Sequence, residues 1–160
     1  MMYKQFFALG LSLLILTGCE TTGQPRPATG NAMEINQQAE QAYAAGDMAT
    51  AQKLYQELTR QVPREANPWF RLGNIYARQE QPDFAINAYR EALVRDPKNA
   101  KAWHNMGVVQ LRQATYSFLN LQNNVDNTDP LHGRAELMVE AVTQLLEQDF
   151  DASVDTPVTE

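Results

Sequence analysis

The chain of 160 residues contains one cysteine, Cys19, whose thiol is the most reactive nucleophile in the sequence. A lone thiol forms neither an internal disulfide nor a cysteine-pair metal site. It follows an apolar run at residues 6–16, which is too short for a membrane-spanning helix, since such a helix needs about 20 residues. Lys4 precedes the run and small residues follow it, which is the order of a secretory signal. A short buried helix with an incidental cysteine is disfavoured, because the run lies at the N-terminus and lacks polar periodicity.

No other set of side chains has the spacing of a catalytic or metal site. His104 and His132 are far apart in the sequence, and together with the single cysteine they do not have the spacing of a metal-binding motif. Neither Ser117 nor Ser153 lies in a glycine-flanked nucleophile elbow, and the glycines are too dispersed for a phosphate-binding loop. We therefore predict no catalytic residue, no metal and no cofactor, so that an enzyme, such as an envelope hydrolase, is not expected.

The four residues Leu16, Thr17, Gly18 and Cys19 resemble the lipobox of bacterial lipoproteins: an aliphatic residue, a small residue, Gly or Ala, then Cys. The resemblance implies that residues 1–18 are a signal peptide removed before Cys19. It also implies that the thiol carries a diacylglyceryl group and that the new amino group is acylated. Two or more acyl chains, at about 0.8 kcal/mol per buried methylene, suffice for stable membrane anchoring.

The segment that follows the cysteine has the composition of a tether. Residues 19–31 are rich in Thr, Gly, Pro and polar side chains with nothing to bury, so a flexible linker is predicted. By the resemblance to lipoproteins, Glu20 in place of an aspartate favours the outer membrane. The expected location is the cell envelope, anchored by lipid and facing the periplasm.

Charge is unevenly distributed along a chain whose net charge is −6. Residues 52–112 contain ten Lys or Arg and six acids, whereas residues 113–160 contain Arg134 and nine acids. A nucleic-acid-binding protein needs a dominant basic face, so nucleic acid is not an expected partner. Residues 149–160 are predicted to be a disordered acidic tail.

The chain matches itself at a spacing of about 34 residues, which is the first indication of its fold. Like residues recur in three pairs: Pro63 and Pro97, Trp69 and Trp103, Gly73 and Gly107. The middle copy adds a pattern of aromatic and small residues: Trp69, Leu72, Gly73, Tyr76, Ala85, Tyr89, Ala92 and Pro97. This pattern resembles the tetratricopeptide repeat, abbreviated TPR.

The resemblance implies an all-α fold in which antiparallel helix pairs stack as a short TPR solenoid of about 2.5–3 repeats. We place the repeats at about 32–65, 66–99 and 100–133, followed by a C-terminal capping helix, for a domain of residues 32–148. The chain should turn at Gly46 in the first repeat, and Asn67 before Pro68 should start a helix in the second.

The third repeat departs from the pattern after its first helix. Gln110, Leu119, Asn123 and Asp126 occupy positions where Tyr, Ala, an aromatic residue and Ala are expected. Its second helix is therefore predicted to be divergent and shorter than usual, with a polar break at residues 123–130. Apolar residues resume at helical spacing from about 131 to 148.

TPR domains, by the resemblance, line a concave groove with the first helix of each pair. The side chains expected in this groove are Asn36, Glu40, Tyr43, Asn67, Phe70, Asn74, Arg78, Lys101, His104, Val108 and Arg112. A carboxylate clamp, as in several related domains, is disfavoured because Phe70 stands where a lysine is needed. A mixed apolar and basic groove suits an extended or helical peptide of acidic character.

The sequence therefore predicts a lipid-anchored periplasmic adaptor that binds a partner protein in an envelope assembly. The assembly could serve pilus or secretin biogenesis, outer-membrane assembly or the control of cell-wall enzymes. The alternative is a structural lipoprotein that associates with itself as a homodimer through the exposed faces of its incomplete repeats.

Overall fold

The computed structural model of the chain describes residues 28–150, and every regular element in that range is an α-helix. The six helices are α1 (Ala28–Ala44), α2 (Met48–Gln61), α3 (Ala66–Arg78), α4 (Pro82–Arg95), α5 (Ala100–Asn124) and α6 (Pro130–Phe150). Consecutive helices pack on one another, and α5 also touches α3. The predicted all-α architecture is confirmed. The predicted signal peptide and lipid anchor lie outside the described residues. Of the acidic tail predicted at residues 149–160, residues 149 and 150 belong to α6, and residues 151–160 lie outside the described residues.

Two helix boundaries differ from those predicted from sequence. Helix α1 begins at Ala28, so residues 28–31 belong to the helix and not to the linker. Helix α3 begins at Ala66 and follows Glu65, which makes no side-chain cap. Asn67 is thus the second residue of the helix, and Pro68 lies in the first turn, where its missing N–H costs no hydrogen bond.

The first two helix pairs turn at equivalent positions of the repeat. Gly46 has a φ of +78° and Glu80 has a φ of +57°, both in the left-handed region. Glycine adopts this conformation without steric cost, whereas a glutamate adopts it only when the surrounding structure imposes it. Pro82 then starts α4 in the second turn. Repeats one and two therefore reverse the chain at the same place.

The third repeat has no such turn, which corrects the prediction of a separate short second helix. The equivalent of Gly46 and Glu80 is Ala114, which lies within α5. This helix continues for 25 residues because residues 112–116 contain neither Gly nor Pro. The chain reverses only after Asn124, and α6 returns along α5 to form a long hairpin. The predicted helix at about 131–148 corresponds to α6.

The core lies between the first four helices and the beginning of α5. Its large fully buried side chains are Tyr55, Leu58, Ile75 and Tyr89. Gly73 permits α3 and α4 to approach closely: a Cβ at this position would lie 2.9 Å from Tyr89 Cζ and closer still to two other ring carbons. The small residue of the repeat pattern thus lies directly against its aromatic partner at Gly73. Trp103, in contrast, is 54% exposed.

Candidate functional site: the polar seam of the first helices

Two polar bridges connect the first helices of successive repeats at equivalent positions. Glu40 of α1 accepts two hydrogen bonds from Arg71 of α3, at 3.1 Å from Nε and 2.8 Å from Nη2. Asn74 of α3 accepts one from Asn105 Nδ2 of α5, at 2.8 Å. The two partners of each bridge are separated by 31 residues along the chain. The same position of the repeat therefore carries a contact between first helices in both cases, as an ion pair in Glu40–Arg71 and as an amide–amide hydrogen bond in Asn74–Asn105.

A buried tyrosine lies beneath each bridge. In the second bridge, the Tyr89 hydroxyl donates to Asn74 Oδ1 at 2.9 Å. Burial raises the pKa of Tyr89, and burial together with the nearby Glu40 carboxylate raises the pKa of Tyr55. Both hydroxyls therefore stay protonated at neutral pH. They serve as packed polar groups beneath the helix face. A general acid or base needs a pKa near the working pH, and neither hydroxyl has one.

The two bridges and the two tyrosines beneath them form a polar seam along the first helices. Two of the residues predicted to contact a partner are buried in this seam. Asn74 is 4% exposed, and its carbonyl oxygen accepts from both Tyr89 and Asn105. Tyr43 is 8% exposed, and its ring centroid lies 5.0 Å from Arg71 Cζ and 4.9 Å from Arg78 Cζ. The prediction that Asn74 and Tyr43 line the surface is wrong, because their side chains are occupied in joining adjacent repeats.

Phe70 has a structural role that its position in the sequence did not reveal. Its ring centroid lies 6.1 Å from that of Tyr89, and the side chain packs against the buried apolar residues of α4 and α5. The side chain is half-buried. Phe70, predicted as a groove residue, therefore also contributes to the packing of the core.

The exposed charged side chains of α3 and α5 are basic. Arg78, Lys101, His104 and Arg112 are all exposed, and Val108 between them is half-buried. His104 Nδ1 lies 3.2 Å from Asn105 Oδ1, which ties the imidazole to the second bridge. Because the Glu40 carboxylate is already bound to Arg71, three guanidinium or ammonium groups on α3 and α5 dominate the accessible charge.

Two open clefts are present among the described residues, and the second borders the basic surface at Arg112. One, of about 840 Å³, is bordered by Asn36 of α1, Asn67 and Pro68 of α3 and apolar side chains of α2. The other, of about 790 Å³, lies between the α3–α4 turn and α5, where Arg112 meets Ala77, Pro82 and Tyr116. Carboxylates also border both clefts: Glu34 and Glu65 in the first, and Glu80 in the second.

Among residues 28–150, no three His, Cys, Asp or Glu side chains are close enough to hold a metal ion. The helices of this range also lack the length and apolarity needed to cross a bilayer.

Sequence reasoning missed both Arg71 and Tyr55 as members of the seam. Neither lies near Glu40 in the sequence, so helical periodicity alone could not associate them. The sequence does contain a signal that could have found them, in the form of two recurring spacings. Counted from the residue that accepts the hydrogen bonds, the tyrosine lies 15 residues later and the residue that donates across the bridge lies 31 residues later. Glu40, Tyr55 and Arg71 follow this spacing, and Asn74, Tyr89 and Asn105 repeat it.

Comparison with known proteins agrees with this architecture. Residues 35–158, more than three quarters of the chain, match the family model described as the cilia and flagella-associated protein 70 middle TPR-like domain. Among solved structures, the TPR domain of Sgt2 from Aspergillus fumigatus is similar with a TM-score of 0.51 and 18% sequence identity. That likeness covers 85% of this chain and 93% of the other. No curated protein sequence matches significantly.

Proposed function

Since the chain belongs to the cilia and flagella-associated protein 70 middle TPR-like domain family, we propose that it is a non-catalytic adaptor that binds an acidic peptide segment of a partner protein. TPR-type domains are generally protein-interaction modules that bind protein or peptide partners. The proposed binding surface is formed by Arg78 of α3 with Lys101, His104 and Arg112 of α5.

The observation that carries this proposal is the excess of exposed positive charge on the two bridged helices. The acid on the same seam, Glu40, is bound to Arg71. Arg78, Lys101 and Arg112 are exposed on helices held in register by the Asn74–Asn105 bridge. A peptide with carboxylates spaced along one side would find complementary charge on a rigid support, and apolar side chains would enter the clefts beside Asn67 and Tyr116.

The test is binding of a panel of acidic peptides of defined sequence to the full chain, measured by fluorescence anisotropy. The double variant Arg78→Glu, Arg112→Glu should weaken binding by about tenfold or more, since two favourable charge contacts become repulsive. Binding should also weaken with added salt.

The matched control is Arg64→Glu, Arg90→Glu, which changes the net charge equally. Arg64 lies in the α2–α3 loop and Arg90 on α4, and both are exposed. Affinity should change little in this variant. An equal loss in both double variants would mean that only net charge matters, and the proposed surface would be wrong.

We further propose that the adaptor is tethered to the periplasmic side of an outer membrane through lipid on Cys19. The support is the lipobox-like order of residues 16–19 after an apolar run, followed by Glu20. The family name refers to cilia and flagella, whereas this N-terminal sequence resembles that of bacterial envelope proteins. An anchored adaptor would hold its partner close to the membrane during envelope assembly.

The anchor is tested by expressing Cys19→Ser in bacteria supplied with labelled palmitate. The variant should lose the label and leave the membrane fraction, while the α-helical content of its folded domain stays unchanged. Persistent labelling would exclude Cys19 as the lipidation site, without bearing on the peptide-binding surface.

A further inference from the structure

The hairpin of α5 and α6 brings the C-terminal part of the chain back toward the start of α5. Residues 125–129 connect the two helices, and within residues 28–150 α6 packs only against α5. At 1.5 Å per residue, the 21 residues of α6 extend about 31 Å. The part of α5 from residue 104 to its end has nearly the same length. The chain therefore leaves α6 level with His104, a member of the basic surface.

The side of α5 along which α6 returns is also the side that carries basic residues. Thr115 and Phe118, half-buried in the second half of α5, mark the side that α6 covers. Lys101 precedes Thr115 by 14 residues, and His104 precedes Phe118 by the same interval. Four turns of a helix take about 14.4 residues, so each pair shares a side of α5. The end of α6 thus points the following segment at exposed basic side chains.

That segment, residues 151–160, has the composition of the peptide proposed as the ligand. It contains three acids, Asp151, Asp155 and Glu160, and no Lys, Arg or His. Val154 and Val158 lie between them. The basic surface carries an equal number of Lys and Arg side chains, so the two are complementary in charge as well as adjacent.

The segment is also long enough to reach the whole basic surface. Its ten residues span up to about 33 Å when extended. Lys101 and Arg112 are about 17 Å apart along the axis of α5. Arg78 lies on α3, and neighbouring packed helices are roughly 10 Å apart. No helix has to move for the acids of the segment to meet these side chains.

We propose that residues 151–160 bind the basic surface of the same chain and compete with the acidic peptide of the partner protein. The inference rests on the proposed function, since it assigns a means of regulation to the same surface. A ligand tethered by a short flexible link acts at an effective concentration of about millimolar, so weak charge contacts suffice. The apparent affinity for a partner falls by the fraction of the surface that stays open. Partner segments that bind more weakly than the tethered segment are therefore excluded.

Zero-length crosslinking tests the contact in the absence of any partner peptide. A carbodiimide joins a carboxylate to an amine only where the two touch, and Lys101 is the lysine of the basic surface. In the dilute full chain, the monomer should contain links between Lys101 and residues 151–160, identified by mass spectrometry after digestion. Added salt should reduce them.

Lys53 is the matched control for the crosslinking, because it is exposed on α2, away from the basic surface. It should form no link to residues 151–160. Absence of the Lys101 link, or links of equal yield to both lysines, would overturn the proposal.

Neutralising the segment tests the competition. The triple variant Asp151→Asn, Asp155→Asn, Glu160→Gln should bind the acidic peptides of the panel about tenfold more tightly than wild type in the anisotropy assay, because the tethered competitor is lost. The helicity of the variant should match that of wild type, since the substitutions lie outside the six helices.

The matched control for this variant is Asp126→Asn, Glu136→Gln, Glu140→Gln, which removes the same charge from exposed positions on α6 and in the loop before it. Its affinity for the peptides should change little. An equal gain in both triple variants would assign the effect to net charge and overturn the competition.

The two experiments distinguish failure of this inference from failure of the proposed function. If the peptides bind wild type and the neutralised variant with equal affinity, residues 151–160 do not compete, and the basic surface keeps its proposed function. If the peptides bind neither protein while the Lys101 links form, the contact within the chain stands and the proposed function is wrong.

Discussion

The two halves of the described structure carry the same repeat but use it differently. In residues 28–95, each first helix is followed after a tight turn by a second helix that packs on it. In residues 100–150, the first helix continues for 25 residues and the return helix comes late. Gly73 and Gly107 mark the contrast. A Cβ at Gly73 would collide with the Tyr89 ring, whereas one at Gly107 would meet nothing within 4 Å.

The polar bridges end at the same boundary. Glu40–Arg71 and Asn74–Asn105 occupy equivalent positions, but the next acceptor position holds Val108, which offers no hydrogen bond. The next tyrosine position holds Asn123, which is exposed near the end of α5. A repeat motif is thus a set of mutually dependent pairs. A small residue retained without its aromatic partner, as Gly107 is, no longer fixes a helix crossing.

The largest effect is expected from forcing the missing turn into α5. Tyr116 is 68% exposed and equivalent to Pro82, which starts α4. Tyr116→Pro should cost about 3 kcal/mol or more, because proline inside a helix removes a hydrogen bond and clashes with the preceding turn. Circular dichroism should show reduced helicity, and proteolysis should begin near residue 116.

Pro82→Ala is the control for this variant, since it replaces the equivalent proline at a helix start and should change stability far less. Unchanged helicity in Tyr116→Pro would show that α5 already bends there, and the contrast between the two halves would disappear.

The paired glycines provide the next largest effect and the closest control. Gly73→Ala should lower the free energy of unfolding by about 1–3 kcal/mol, because the added methyl overpacks against a fully buried tyrosine. Gly107→Ala should raise it by about 0.5–1 kcal/mol, since alanine loses less entropy than glycine in a helix and the site is open. Thermal unfolding of both variants measures the difference. Effects of the same sign would mean that the packing of α5 resembles that of α3.

The smallest effect concerns two helix caps that differ in charge. Asp47 accepts from Thr50 N at the start of α2, and Asn99 accepts from Ala102 N at the start of α5. The hydrogen bonds from Thr50 hold the pKa of Asp47 below its ordinary value of 3.8. Because the folded-state pKa is lowered, the Asp47 cap contributes fully above pH 3.8 and is lost as the pH falls through the lower folded value.

Denaturant unfolding of Asp47→Ala and Asn99→Ala at pH 7 and in strong acid distinguishes these caps. Both variants should be less stable at pH 7, with a cost of about 1 kcal/mol for Asn99. In strong acid the cost of Asp47→Ala should shrink, and that of Asn99→Ala should persist. A loss that is independent of pH for Asp47 would show that its carboxylate does not cap α2.

Much of the fold was predictable from the sequence, because the repeat encodes local contacts between helices close together in the chain. The repeat period located the first four helices, the turn at Gly46 and the contact of Gly73 with the second helix. The site was less predictable. Arg78, Lys101 and Arg112 are exposed as polar helix residues usually are, but the burial of Tyr43 and Asn74 depends on partners in the next repeat.

The sequence by itself determined the helical class, the repeat period, the small residues at the α3–α4 crossing and the separation of basic and acidic regions. These properties follow from local propensity and from periodicity, which any stretch of the chain expresses on its own. Only the tertiary structure decided that α5 continues past Ala114, that Gly107 meets no neighbour, and that one side of α6 stays uncovered. Those outcomes depend on which surfaces remain to be buried after the first two pairs have packed, and no single segment contains that information.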